Sequence, residues 1–399
     1  MNLRRYLDVL RAPGVARLLV FALIGRLPFG TLPLSMVLLM RHEHYDYGQI
    51  GAVLATEALA VGVTAVFVGR LVDRIGHARV LITTGTITAA AICLQAAAMA
   101  SGASVALLIA LGVVQGATVP PVSPAMRSLW AKLIPKDRVE TAYAFDSVAL
   151  ELAFIVGPLL AAGLASAWTP LAGMLLSAAF YSSAAIGFAT APASRAWRPA
   201  QSVERTRAGA LRSAGIRTLV VAAGCAAIAF GALEVALTAF AEQQGSRDAV
   251  GPLITVWSIG SLVGGLAYGA RTWSSPAPRR FLILSGLLGV GALPLPFAGS
   301  LITMGAFLFG TGLALAPLGA TAYALLASLA PEGTSTEAYS WHIVANVVGS
   351  SIGAFAAGVL IEHAGVDWAL ASASISCGLA LLVGLAGRRT LSPELARTS

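Results

Sequence analysis

Gly69-Arg70-Leu71-Val72-Asp73-Arg74-Ile75-Gly76-His77-Ala78-Arg79-Val80 is a short charged segment between two long apolar runs, 49–69 and 79–100. Each run has the roughly 20 residues a helix needs to cross a bilayer. The segment therefore reads as a connection between two membrane crossings. Gly69 has no side chain to hold a neighbouring helix away at the membrane edge. Gly76 supplies a tight turn. Asp73 is a fixed negative charge among arginines at the membrane surface.

Outward from that segment the same pattern repeats along the chain. Apolar runs long enough to span fall at 17–40, 49–69, 79–100, 104–126, 138–164, 168–190, 217–241, 250–270, 281–299, 301–327, 335–361 and 366–387. Composition agrees. Of 399 residues, 57% are apolar and 11% charged, against about 25% charged in soluble domains, and the mean hydropathy is +0.81. Most of such a chain must be solvated by lipid, which excludes a soluble enzyme, a nucleic-acid binder and a disordered protein. Cys93, Cys225 and Cys377 all lie in apolar runs, so neither a disulfide framework nor a metal site is expected.

Lys and Arg set the orientation. With the N-terminus inside, 23 of the 26 basic residues fall on the inner side. Arg41 and Arg247 fall outside, and Arg26 lies within the first run. Both ends are expected in the cytoplasm. Arg4, Arg5 and Arg11 precede a Pro13-Gly14 break with no small-residue cleavage site, so the start is expected to be retained. The basic excess is thus a topology signal and a contact with anionic membrane lipid, with no nucleic-acid partner.

The longest polar stretch, Ala191 to Gly215, follows six runs. It divides the chain into a six-helix half at 1–190, a cytoplasmic linker at 191–216 and a second six-helix half at 217–399. An internal repeat has the same period. At an offset of 196, Pro121 matches Pro317, Ala142-Tyr143 matches Ala338-Tyr339 and Gly157 matches Gly353. At an offset of 201, Phe29-Gly30 matches Phe230-Gly231. An all-α membrane protein of two parallel six-helix repeats is a common plan of secondary transporters, with the substrate site between the halves.

With these features in place, the sequence resembles the major facilitator superfamily over essentially its whole length. The opening segment is similar to the family's loop signature, Gly-x-Leu-x-Asp-Arg-x-Gly-Arg-Lys/Arg-x, through Gly69, Asp73, Arg74, Gly76 and Arg79. It departs at His77-Ala78, where basic residues are usual. A capping box is expected at Thr334-Ser335-Thr336-Glu337, starting the eleventh helix there. The resemblance implies that Asp73 meets the positive end of that helix and locks an inner gate. In the second half Gly69 matches Gly269, but Trp273 stands where Asp73 would be, so the latching is expected to be asymmetric. Gly157-Pro158 and Gly163 in the fifth helix are similar to the signature of the family's antiporters, mostly drug exporters, although Ala153 and Ala162 replace glycines. Pro158 removes a backbone donor and bends the helix. Gln115-Gly116 is similar to part of the exporters' fourth-helix signature, with Gly112 where a basic residue is expected.

Ionisable groups inside spans are costly and point to function. Arg26 lies roughly 13 Å and Glu57 roughly 18 Å from the inner edge at 1.5 Å per residue, so an Arg26–Glu57 pair is expected. Asp146 aligns with His342 in the repeat, and the two are expected to face each other across the pseudo-two-fold axis. Asn346 lies one turn beyond His342. Glu151 is near mid-depth, and Glu234 lies further toward the outside. Carboxylates in a low-dielectric cavity are candidate proton carriers.

The sequence leads to an inner-membrane secondary transporter, monomeric, exporting a small amphipathic drug or metabolite in exchange for protons. No Walker-type Gly-x-x-x-x-Gly-Lys occurs, so no cofactor is expected and the proton gradient supplies the energy. The alternatives are uptake of a sugar or organic anion, with Arg26 as anion partner, and a non-transporting receptor or scaffold. The scaffold reading calls for an added soluble domain, which no stretch of this sequence resembles.

Overall fold

The computed structural model describes residues 4–12, 14–135, 137–197, 209–246 and 249–392. Lys136, Arg198, Arg205, Arg207, Arg247 and Arg397, counted above for orientation, lie outside them. Among the described residues the regular structure is helical, with no strand.

Twelve spans follow one another. Spans 1 to 6 are Val15–His42, Gly48–Ile75, His77–Ala100, Val105–Trp130, Val139–Ala167 and Pro170–Ala189. Spans 7 to 12 are Ala214–Gln243, Val250–Gly269, Ala277–Phe297, Leu301–Leu329, Ser335–Ala364 and Val366–Ala386. A short helix, Arg4–Arg11, precedes them. Large apolar side chains such as Phe67, Leu94, Phe297, Ile302 and Phe355 stand exposed on their outer faces, as lipid-facing positions require.

The breaks in these helices have local causes. Span 1 is interrupted between Ile24 and Pro28, where proline cannot donate to the preceding turn. Span 4 stops at Ala117 and resumes at Val122, across Pro120-Pro121. Span 10 is broken at the matching place, between Gly312 and Leu315.

The repeat seen in the sequence is a repeat of helix crossings. A Cβ at Gly157 of span 5 would collide with the backbone of Gly30 in span 1. In the second half a Cβ at Gly353 of span 11 would collide with Ile228 of span 7, and one at Gly231 with Ser350. Each half needs glycine where these two spans cross. Pro158 packs at the same crossing, whereas Gly163 is exposed and a Cβ there would meet nothing.

The apolar core has three parts. One lies within the first half, around Met36, Ile92 and Met174. One lies within the second, around Leu237, Met304 and Leu370. The third draws on both halves, with Trp130, Tyr143, Tyr323 and Tyr339 among its members. It sits at the end of the molecule that carries most of the arginines, called the basic end below.

Candidate functional site

Above the shared core sits a buried ion cluster. Arg26 of span 1 is 0% exposed and its Nη2 donates to Asp146 Oδ1. Arg127, near the end of span 4, donates through Nε to Asp146 Oδ2 at 2.7 Å. One carboxylate therefore serves two guanidinium groups. The Arg127 guanidinium also lies 3.7 Å from the centroid of the Tyr323 ring, close enough for a cation–π contact. The hydroxyls of Tyr143 and Tyr339, partners in the repeat, are 2.8 Å apart. Both reach the Arg127 carbonyl, at 3.4 and 3.5 Å.

This arrangement corrects the expected Arg26–Glu57 pair. Depth along a helix can be counted from sequence, but the face each residue presents cannot. Arg26 faces span 5, while Glu57, on span 2, faces span 4. A Cβ at Gly116 would collide with the Glu57 carbonyl, and one at Gly112 would be 3.9 Å from Glu57 Cβ. Among the described residues Glu57 Oε2 has no hydrogen-bond partner, and its polar neighbour is the buried Gln115. Asp146 and His342 approach one cluster without pairing to each other. His342 sets its ring edge-on to Tyr323, centroids 5.4 Å apart. Asn346 donates from Nδ2 to the His342 carbonyl at 2.7 Å. Glu151 accepts from Ser261 of span 8 at 2.8 Å. Glu234 is exposed on span 7.

Toward the basic end the halves meet along two seams. At the first, span 2 does not end before Asp73, as the loop reading expects. It continues to Ile75, leaving Gly76 at φ +96° as the connection to span 3. Asp73 is therefore held on the last turn of a helix. Its carboxylate accepts from the backbone N–H of Thr336 at 3.2 Å and of Glu337 at 3.0 Å. These are among the donors a helix start leaves without partners. The capping box expected within span 11 does not form. Thr334 Oγ1 instead donates to the Pro331 carbonyl, and Glu337 Oε1 accepts from Arg70 Nη2 at 2.9 Å and Trp341 Nε1 at 3.3 Å. Arg74 and Arg79 are exposed. His77, the departure from the family pattern, is buried and stacks on Trp197 from the linker, centroids 4.5 Å apart.

At the second seam span 8 meets span 5. Thr141 Oγ1 donates to the Gly269 carbonyl at 2.9 Å. Arg280 of span 9 holds Glu140, in the first turn of span 5, through both of its terminal nitrogens, and donates to Tyr268 Oη at 2.8 Å. Tyr6 donates to the carbonyls of Gly265 and Leu266 at 3.2 and 3.1 Å. Burial pushes its phenol up to about 12, so it remains a donor through the physiological range. Arg127, Glu140, Thr141, Arg280 and Tyr6 were not singled out in the sequence. The 196-residue offset held the signal for two of them, because it aligns Thr336-Glu337 with Glu140-Thr141.

A family model described as Major Facilitator Superfamily matches residues 18–220 and again 219–398. No curated protein matches the chain. Among solved structures, the chain is similar to the human organic anion transporter MFSD10 (TETRAN). That likeness has 16% identity and a TM-score of 0.75, covering 92% of this chain and 98% of that one. It is also similar to a bacterial homologue of the iron transporter ferroportin in an outward-facing state. With soaked iron, that structure has 13% identity and a TM-score of 0.76 over 93% of this chain and 98% of that one. Without soaked iron the identity is 14% and the TM-score 0.75. At such identities these likenesses concern the fold alone.

Proposed function

The chain belongs to the major facilitator superfamily and is a multi-pass membrane transporter rather than an enzyme, and from that premise we propose that it exports a small amphipathic compound, a drug or metabolite, in exchange for protons. The arginine bias supports a cytoplasmic basic end with both termini on that side, and the membrane in this reading is the inner one of a bacterial cell. The two seams then lie on the inner side, and the transporter faces outward with its inner gate shut. It works as a monomer, since each half finds its partner within the same chain. The proton gradient drives the cycle, with no cofactor.

The observation that supports the coupling is Glu57 Oε2, buried in the first half without a hydrogen-bond partner among the described residues. Ionised carboxylates in lipid-embedded interiors are costly, and a proton is the smallest group that relieves the cost. Glu151, at the interface with Ser261, is the second candidate, and the exposed Glu234 the third. Asp146 is held by two arginines and serves to position them. The test is a substrate, found by thermal shift against a ligand panel, followed in proteoliposomes under an imposed pH gradient. Glu57→Gln, Glu151→Gln or Glu234→Gln is expected to keep exchange and lose pH-driven accumulation. Wild-type accumulation in all three overturns proton coupling through these groups.

Uptake of an organic anion is the second reading. Its support is the extra guanidinium at Asp146, which favours an anion over a sugar. Counterflow in vesicles of defined orientation decides the direction.

A further inference from the structure

We propose that the cluster around Arg26 is a binding site for one carboxylate group of the transported compound, with Arg26 as its ionic partner and Ser147 and His342 as flanking hydrogen-bonding groups. The proposal rests on the reading of the chain as a transporter of a small compound and names that compound's chemical class.

The first argument is charge. Arg26 and Arg127 share the single carboxylate of Asp146, leaving one positive charge over among buried side chains. Glu151, the next carboxylate along span 5, is turned to Ser261 of span 8 and bonds to neither arginine. The remaining titratable groups against the cluster, Tyr143, Tyr323, Tyr339 and His342, bring no second anion at neutral pH. A surplus buried cation is costly until an anion joins it.

The second argument is the pattern of unsatisfied atoms. Asp146 occupies Nη2 of Arg26 and leaves Nε and Nη1 without partners among the described residues, although Arg26 is 0% exposed. Ser147 Oγ and His342 Nδ1 are likewise buried without partners. Buried polar atoms nearly always find partners, and Arg26, Ser147 and His342 each adjoin Asp146 or Tyr323 of the cluster. A carboxylate is planar, has two acceptor oxygens and matches the guanidinium fork.

The third argument is space and position. A Cβ at Gly319 of span 10 would lie 3.4 Å from Ser147 Oγ and 4.0 Å from the Tyr323 ring. The absence of a side chain at Gly319 brings the backbone of span 10 close to the serine hydroxyl, and a larger side chain there would crowd Ser147 and Tyr323. Arg26 and Ser147 belong to the first half, and His342 and Gly319 to the second. A group bound among them touches both halves, so its arrival and departure can bias how they rock. His342 is half-buried.

The test uses the detergent-purified full chain and three carboxylates, acetate, benzoate and octanoate, each against its own amide, by thermal shift and titration calorimetry. At least one acid is expected to bind saturably where its amide does not. Arg26→Gln should weaken that acid about 30-fold or more, the usual scale for removing one partner of a buried charge pair. Should Arg26→Gln fail to fold, Gly319→Val serves instead. It fills the space beside Ser147, leaves the ion pairs in place, and is expected to abolish the same binding. Equal behaviour of every acid and its amide overturns the proposal. So does a shift reproduced by chloride alone, or acid binding that survives both substitutions. Acid binding at this site with no transport of the acid in proteoliposomes leaves an anion site standing and overturns its role in holding the transported compound. Transport that ignores the difference between acid and amide does the reverse.

Discussion

The two seams at the basic end are built on one geometry and held by different chemistry. In each, a glycine near the end of one span lets the first turns of a span from the other half come close. A Cβ at Gly69 would strike Ser340 and Thr336, and a Cβ at Gly269 would strike Tyr6 and Ala144. Ser340 and Ala144 are equivalent positions of the repeat. At the first seam Asp73 then caps span 11 across the halves. At the second, Trp273 occupies the equivalent place and stays within its own half, its indole donating to the Tyr268 carbonyl at 3.0 Å. The holding is done by Arg280 on Glu140, by Thr141 and by Tyr6. The approach of backbones is fixed by crowding, which a Cβ would disrupt. The group that fastens them needs to supply only a few hydrogen bonds, so it can differ between the halves.

The comparison orders the expected effects of substitutions. Arg280→Met should be the most damaging, because it leaves Glu140 without its cation at a largely buried site. The loss should be about 3 kcal/mol, the low end for breaking a buried pair, since Glu140 is 33% exposed. It should appear as a lowered thermal midpoint in detergent. A midpoint unchanged from wild type would assign the second seam to Thr141 and Tyr6 alone.

Asp73→Asn comes next. The amide oxygen can still accept from one of the two N–H groups, but the other loses its acceptor and the charge facing the start of span 11 is gone, costing the closed seam about 1–2 kcal/mol. The variant should fold and reach the membrane yet lose most transport. Full transport at equal expression would reduce Asp73 to a topology signal. Thr141→Val removes one hydroxyl bonded to a carbonyl, worth about 1 kcal/mol. Faster labelling of a cysteine placed at Thr321, behind this seam, would register it, and unchanged labelling would count against a holding role. Trp197→Ala should have the smallest effect. It removes the stack on His77, about 0.5 kcal/mol, and should loosen the linker to protease while transport stays near wild type. A loss of transport as large as that of Asp73→Asn would place the linker among the fastening groups.

Much of the fold was legible because lipid imposes a length. Each span agrees with its apolar run to within a few residues, since a bilayer tolerates neither a short helix nor an exposed loop. The largest extensions are polar ends such as Arg70 to Ile75, which hydropathy assigns to a loop although the helix continues through them. The repeat was legible because glycine is required at the same crossing in each half. The site was less so. Arg26 and Glu57 share a depth but face different neighbours. Arg127 read as one more inner arginine, because Pro120-Pro121 hides the helix that carries it back into the core. Thr334 and Glu337 fit a local capping rule, but a carboxylate from span 2 takes the donors first.

The central claim is that the two seams shut the cytoplasmic side while the other side stands open. Spin-label distances test it most directly, on protein with Cys93, Cys225 and Cys377 replaced. One pair of labels sits at the basic end, on Ile75 and Glu332, and the other at the opposite end, on His44 and Gln244. The account predicts that Asp73→Asn lengthens the first distance and shortens the second in the same molecules. Distances that stay at wild-type values, or that lengthen at both ends together, would contradict it.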